Sequence, residues 1–126
     1  MQARGSDFVM YEVSDLQRSA AFYRDILGLE LTVFLPEYAW AELAAAPTTL
    51  ALSDPRAHRP DAAVRPGGAT LFLAVTNLVA AVAELEQRGI PVQVPAFETP
   101  VCWMAVISDP DGNAVGLHER KDGTCG

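Results

Sequence analysis

One unit is written twice in this chain, and no other feature restricts its fold as much. Val9-Met10-Tyr11-Glu12-Val13 leads through Ser14-Asp15-Leu16 into a helical pattern that ends at Leu27-Gly28-Leu29. Leu71-Phe72-Leu73-Ala74-Val75 leads through Thr76-Asn77-Leu78 into a second such pattern, ending at Gly89-Ile90. Val13 corresponds to Val75, Leu16 to Leu78, and Gly28 to Gly89 with a slip of one residue. Self-similarity of this kind means one supersecondary unit used twice.

Leu16, Ala20, Tyr23 and Leu27 recur at helical spacing, as do Leu78, Ala81, Val82 and Leu85. Ser14 with Gln17 fits a capping box, and Thr76 or Asn77 can accept from free first-turn amides. Gly28 and Gly89 supply the left-handed residue that ends each helix. Strand patterns follow each helix, over 30–34, 39–43 and 48–52, then over 91–94, 102–107 and 114–118. The order is βαβββ twice, an α+β chain. Before the last strand, Pro110 presets φ and Gly112 takes the positive φ of a tight turn. Residues 54–68, DPRAHRPDAAVRPGG, have the composition of a solvated, mobile connector, and His58 within it carries no signal. The expected organisation is one domain over 1–126, with a first module at 6–53, a linker at 54–67 and a second module at 68–120.

The 126 residues suffice for a core without staples. A net charge of −7 leaves no basic stripe to displace counterions, which argues against nucleic acid and against an anionic membrane surface. The longest apolar run, 69–75, is strand-sized, and residues 1–7 lack the apolar stretch of a signal peptide. Cys102 lies in an apolar run and reads as a core thiol, Cys125 as part of a frayed tail. A cytoplasmic protein is expected. GxSxG, GxxxxGK[ST] and GxGxxG are absent from the sequence, and Gly67-Gly68 precedes a strand, not a helix.

Three stretches carry a resemblance: VSDLQRSAAFYRDILGLEL (13–31), GGATLFLAVTNLVAAVAELEQRGIPV (67–92) and SDPDGNAVGL (108–117). Together they resemble the vicinal oxygen chelate superfamily, which includes glyoxalase I, extradiol dioxygenases and bleomycin-resistance proteins. The resemblance implies two βαβββ modules forming an incomplete eight-stranded barrel around a concave site, and a homodimer. WAELAAAP (40–47), too apolar for an open edge, points the same way. Metal enzymes of the superfamily carry ligands at points that correspond here to Phe8, Ala51, Thr70 and Gly116. A divalent ion needs imidazole, carboxylate or thiolate, and these four supply none. The resemblance therefore implies the fold and argues against the metal; no cofactor is expected.

Alternation along strands gives the side chains that share a face with those four positions. The first strand contributes Phe8, Met10 and Glu12, the fourth Thr49, Ala51 and Ser53. The fifth contributes Thr70, Phe72 and Ala74, the eighth Ala114, Gly116 and His118. Trp40 and Glu42 join them if Leu43 sets the register of the third strand. On the seventh, Met104 with Val106 and Trp103 with Ala105 remain alternatives. This wall suits a planar, largely apolar ligand, with Ala51 and Gly116 leaving room and Glu12 or Glu42 holding any cationic group. Stoichiometric sequestration of a small aromatic molecule is the leading expectation. An enzyme using Glu12, Glu42 and His118 as a non-standard metal or acid–base set is the alternative, and a dimer with a vestigial cavity the third. Against the enzyme, Glu12 and His118 sit toward strand ends, and Glu119-Arg120-Lys121 reads as a charged exit from the sheet.

Overall fold

Each half of the chain folds around its own sheet. The computed structural model describes residues 1, 2, 4 and 7–124; Ser6, where the first module was expected to begin, and Cys125 lie outside the described residues. The chain divides into two compact units, Met1–Gly68 and Ala69–Gly126. In the first, β1 (Val9–Glu12) is followed by α1 (Leu16–Ala21), β2 (Glu30–Leu35), β3 (Trp40–Ala45) and β4 (Thr48–Ser53). In the second, β5 (Leu71–Ala74) is followed by α2 (Leu78–Gln87), β6 (Val92–Glu98), β7 (Cys102–Ser108) and β8 (Ala114–Arg120). The sheets run β1-β4-β3-β2 and β5-β8-β7-β6, each open and neither closed into a barrel.

The topology follows from the connections. A helix carries the chain across the sheet after β1, and two antiparallel steps bring it back until β4 lies parallel to β1. The second unit repeats this with β8 parallel to β5. Register then fixes the faces. Tyr11, Ala41, Leu43, Leu50 and Leu52 are buried on the face that receives α1, with Ala20, Phe22 and Tyr23. Leu71, Ala105, Ile107, Val115 and Leu117 do the same beneath Leu78, Val82 and Leu85 of α2.

Several expectations are corrected. Asp15, not Ser14, caps α1: its carboxylate accepts from the Arg18 amide at 3.0 Å, while Ser14 Oγ accepts from the Arg18 guanidinium. The first helix is α only to Ala21; Phe22–Ile26 forms a π turn, closed by Leu27 N donating to Phe22 O at 3.2 Å. Strand β3 is inner, paired with both β2 and β4, so the apolar run 40–47 is not an edge. Ala39 stands in the left-handed region at φ 51° and delays β3 to Trp40. Strand β8 continues through Arg120, so Glu119 and Arg120 are still sheet. The connector is tied down as well: Arg56 donates to Ser14 O at 2.7 Å, and the Arg65 amide donates to Glu12 Oε2 at 2.7 Å. No helix among the described residues is long and apolar enough to cross a membrane.

Candidate functional site

The first sheet turns one face away from α1. Met10, Ala51 and Glu42 align across β1, β4 and β3, and Glu12, Ser53 and Trp40 form the next row. Thr49 follows Ala51 on the same side, opposite Ala44. Phe8 lies just before β1, its ring set edge-on to Trp40 at 5.5 Å between centroids and 83° between planes. The indole is held from the other end, where Trp40 Nε1 donates to Glu42 Oε1 at 2.9 Å. Residues two apart on a strand share a face, so this anchoring was latent in the Trp-x-Glu spacing. Phe8 and Met10 remain 48% and 45% exposed, a large fraction for rings and thioethers in a folded sheet.

In the second sheet, the face opposite α2 carries Phe72 with Gly116 and Ala74 with His118 across β5 and β8. Thr70 stands exposed just before β5, and Ala114 begins β8. The β7 register selects between the two alternatives: Met104 pairs with His118 and Val106 with Gly116, while Trp103 and Ala105 point to the opposite face. Trp103 instead lines a cleft of about 590 Å³ with Val75, Thr76, Glu119, Arg120 and Lys121. Its charges are largely taken: Glu119 accepts from the Leu78 amide at 2.8 Å, and Lys121 pairs with Glu98.

The expected room at Ala51 and Gly116 is not there. Ala51 is fully buried, and a Cβ added at Gly116 would overlap the Phe72 ring. At Gly116 the Phe72 ring occupies the space a side chain would need.

Nor do the donors fit a divalent ion. Phe, Ala and Gly have no ligand atoms, and a lone Thr hydroxyl is a poor one. Among the described residues no three His, Cys, Asp or Glu side chains are grouped to hold a metal. Of the alternative trio, Glu12 accepts from the connector and Glu42 from the indole, both in the first unit, while His118 belongs to the second.

The turn into β8 holds residues whose part the spacing did not give. Asp109 Oδ1 accepts from the amides of Asp111 and Asn113 at 2.9 and 2.7 Å, and Oδ2 from the Asn113 side chain at 2.8 Å. Both residues are buried, so this carboxylate organises the turn from inside. Pro110 and Gly112, at φ 85°, signalled the turn; only burial reveals its anchor.

The sequence model of the Glyoxalase/Bleomycin resistance protein/Dioxygenase superfamily matches residues 5–117. No curated protein matches the sequence. Among solved structures, the chain is similar to TnmS3, an antibiotic binding protein from Streptomyces sp. CB03234. Identity is 29% and the TM-score 0.76, covering 96% of this chain and 99% of that one. A glyoxalase/bleomycin resistance protein from the same source is 30% identical with a TM-score of 0.70, covering 90% of this chain and 98% of that one. A lactoylglutathione lyase from Agrobacterium tumefaciens, 24% identical, shares the fold at a TM-score of 0.74, covering 94% and 96%.

Proposed function

We propose that this chain, which belongs to the glyoxalase/bleomycin resistance protein/dioxygenase superfamily, binds and sequesters an aromatic or largely apolar small molecule without a metal. One observation carries the reading: the sheet faces left open by the helices present rings and thioether where metal-dependent chemistry would need donors. Phe8, Met10 and Phe72 are each more than two-fifths exposed, although burial would be expected of side chains this apolar. The first-unit corner of Phe8, Trp40 and Glu42 offers a ring edge, a ring face and a fixed carboxylate within one row of strands. Such a corner suits a flat ligand oriented by one polar group. The likeness to an antibiotic binding protein at 29% identity supports binding over turnover. In this reading the protein acts as a cytoplasmic homodimer. On the first sheet Thr49 continues the ligand-facing row above the buried Ala51, and on the second Thr70, Met104 and His118 share the face of Phe72 above the buried Gly116.

The test is fluorescence titration of a Trp103→Phe protein, which leaves Trp40 as the sole indole. Two tricyclic probes of equal size serve, the cation 9-aminoacridine and the neutral 9-anthracenemethanol. Burying such a ring removes on the order of 200 Å² of apolar surface, roughly 5 kcal/mol gross at 25 cal/mol per Å². Association entropy offsets much of that, so micromolar to millimolar affinity is expected. Saturable quenching by at least one probe is the expected result, and Glu42→Gln weakens only the cation. Absence of saturable quenching by both overturns the reading. About one Zn, Fe, Mn or Ni per chain after purification without chelator would instead overturn the metal-free reading and favour an enzyme.

A further inference from the structure

Gly116 has no backbone reason to be glycine. Six described glycines take positive φ, at 28, 67, 68, 89, 112 and 123, and Gly116 is not among them. It lies within β8, where any L residue fits the extended backbone. What excludes a side chain comes from the neighbouring strand. Phe72, its register partner on β5, lays its ring where a Cβ would stand, with Cγ, Cδ1 and Cε1 all inside contact distance.

The ring thus leaves its own strand and rests on the next one's backbone. Gly116 is buried beneath it, yet Phe72 stays 44% exposed. One side of the ring meets the sheet, and the other is open. An exposed phenyl ring ordinarily samples several rotamers; a ring seated on bare backbone has its height and tilt set for it. Within its own row Phe72 has only Gly116 and the short Val106 beside it; Ala74, His118 and Met104 form the next row on the same face. The first unit has Met10 against Ala51 at the corresponding place, so this arrangement belongs to the second repeat alone.

We propose that Phe72 seated on Gly116 is a stacking platform for a flat ligand on the face of the second sheet, and that Gly116 is the positioning residue that sets it. This rests on the ligand-binding reading above and narrows it: the platform selects planar ring systems over apolar molecules of equal bulk. A ring that merely covers a strand glycine would stabilise the sheet and show no preference for ligand shape.

Calorimetric titration with flat 9-anthracenemethanol and globular 1-adamantanemethanol separates the two. Gly116→Ala, which tilts the ring off the backbone, and Phe72→Leu, which removes it, should each weaken the flat probe about tenfold. Binding of the globular probe should be unchanged. In the double variant the losses should not add, because both act on one ring. In the unliganded wild type, the Gly116 Hα resonances should lie upfield and return on Phe72→Leu. Wild-type binding of the flat probe with unaltered affinity in Phe72→Leu overturns the platform alone, even if Gly116→Ala fails to fold. Equal losses for both probes reduce Phe72 to a cover and overturn it too. A wild type that binds neither anthracenemethanol nor aminoacridine defeats the ligand-binding reading, and the platform with it.

Discussion

Asp54 closes β4 and starts the connector with a single carboxylate. It accepts from the Arg56 amide at 3.0 Å and from the guanidinium at 3.0 and 2.8 Å, while Arg56 also donates to Ser14 O. The Arg56 side chain holds this carboxyl below the ordinary aspartate value, against the opposing effect of partial burial. A carboxyl whose folded value is depressed contributes stability above its unfolded value, near 3.9, and loses it as pH falls through the folded one. Asp54→Asn should therefore lower the urea midpoint at about pH 6, with the difference from wild type shrinking below about pH 4. A difference that stayed constant across that range would mean the ion pair is not what the residue contributes. Such pairings are hard to see in a sequence. Arg56 stands two residues from Asp54, but its reach to Ser14 spans 42 positions and depends on where the chain returns. The Trp40–Glu42 contact was within reach of strand alternation, whereas Asp109 with Asn113 needed burial to distinguish an anchor from an exposed turn residue.

At the level of elements, the helix starts were legible as positions and only partly as chemistry. Asn77 accepts from the Ala80 amide at 3.0 Å, one of the two cap residues the sequence offered. At α1 the cap shifts to Asp15, because Asp15 holds the extended backbone, at φ −147°, that lets its side chain fold back onto the first turn. Asn77→Ala and Asp15→Ala should each cost about 1 kcal/mol in urea unfolding, and Ser14→Ala less than about half of that. A larger loss at Ser14 than at Asp15 would reverse the assignment. Helix α2 has a second acceptor that no local pattern announces, Glu119 of β8 at the Leu78 amide. Its neighbours Arg120 and Lys121 made it look like part of a charged exit; instead it ties strand to helix across 41 positions. The strands were placed well wherever alternation was strong. They were placed poorly at β6, where register shifts and Pro95 interrupt the period and the strand runs on to Glu98.

On the scale of the whole molecule, the duplicated unit was readable because the same physical demands recur in order: strand, capped helix, glycine stop, three-strand return. The faces followed from register, and so did the residues on them. What stayed hidden was how small residues are used, since a sequence shows an alanine or glycine without showing what lies over it. The edges of the sheets carry the remaining signal. Strand β2 is an edge, and around it Phe34, Leu35 and Tyr38 are 39%, 37% and 61% exposed. Strand β6 is the corresponding edge, with Val94 and Phe97 at 39% and 43%. Exposed apolar edges invite open-ended pairing unless blunted or covered. Both strands carry register irregularities, and β6 has Pro95, devices that oppose strand-by-strand growth. A net charge of −7 opposes indiscriminate clustering too. Apolar side chains kept exposed on edges that cannot propagate are best satisfied by a closed pair of chains. An interface of roughly 1,200–2,000 Å² in total would be ordinary for such a pair. Light scattering at micromolar concentration should give twice the 13.5 kDa chain mass, and Phe34→Lys with Tyr38→Lys should shift it toward one. A monomer mass for the wild type would show that these side chains are tolerated in water, and the dimer would have to be abandoned.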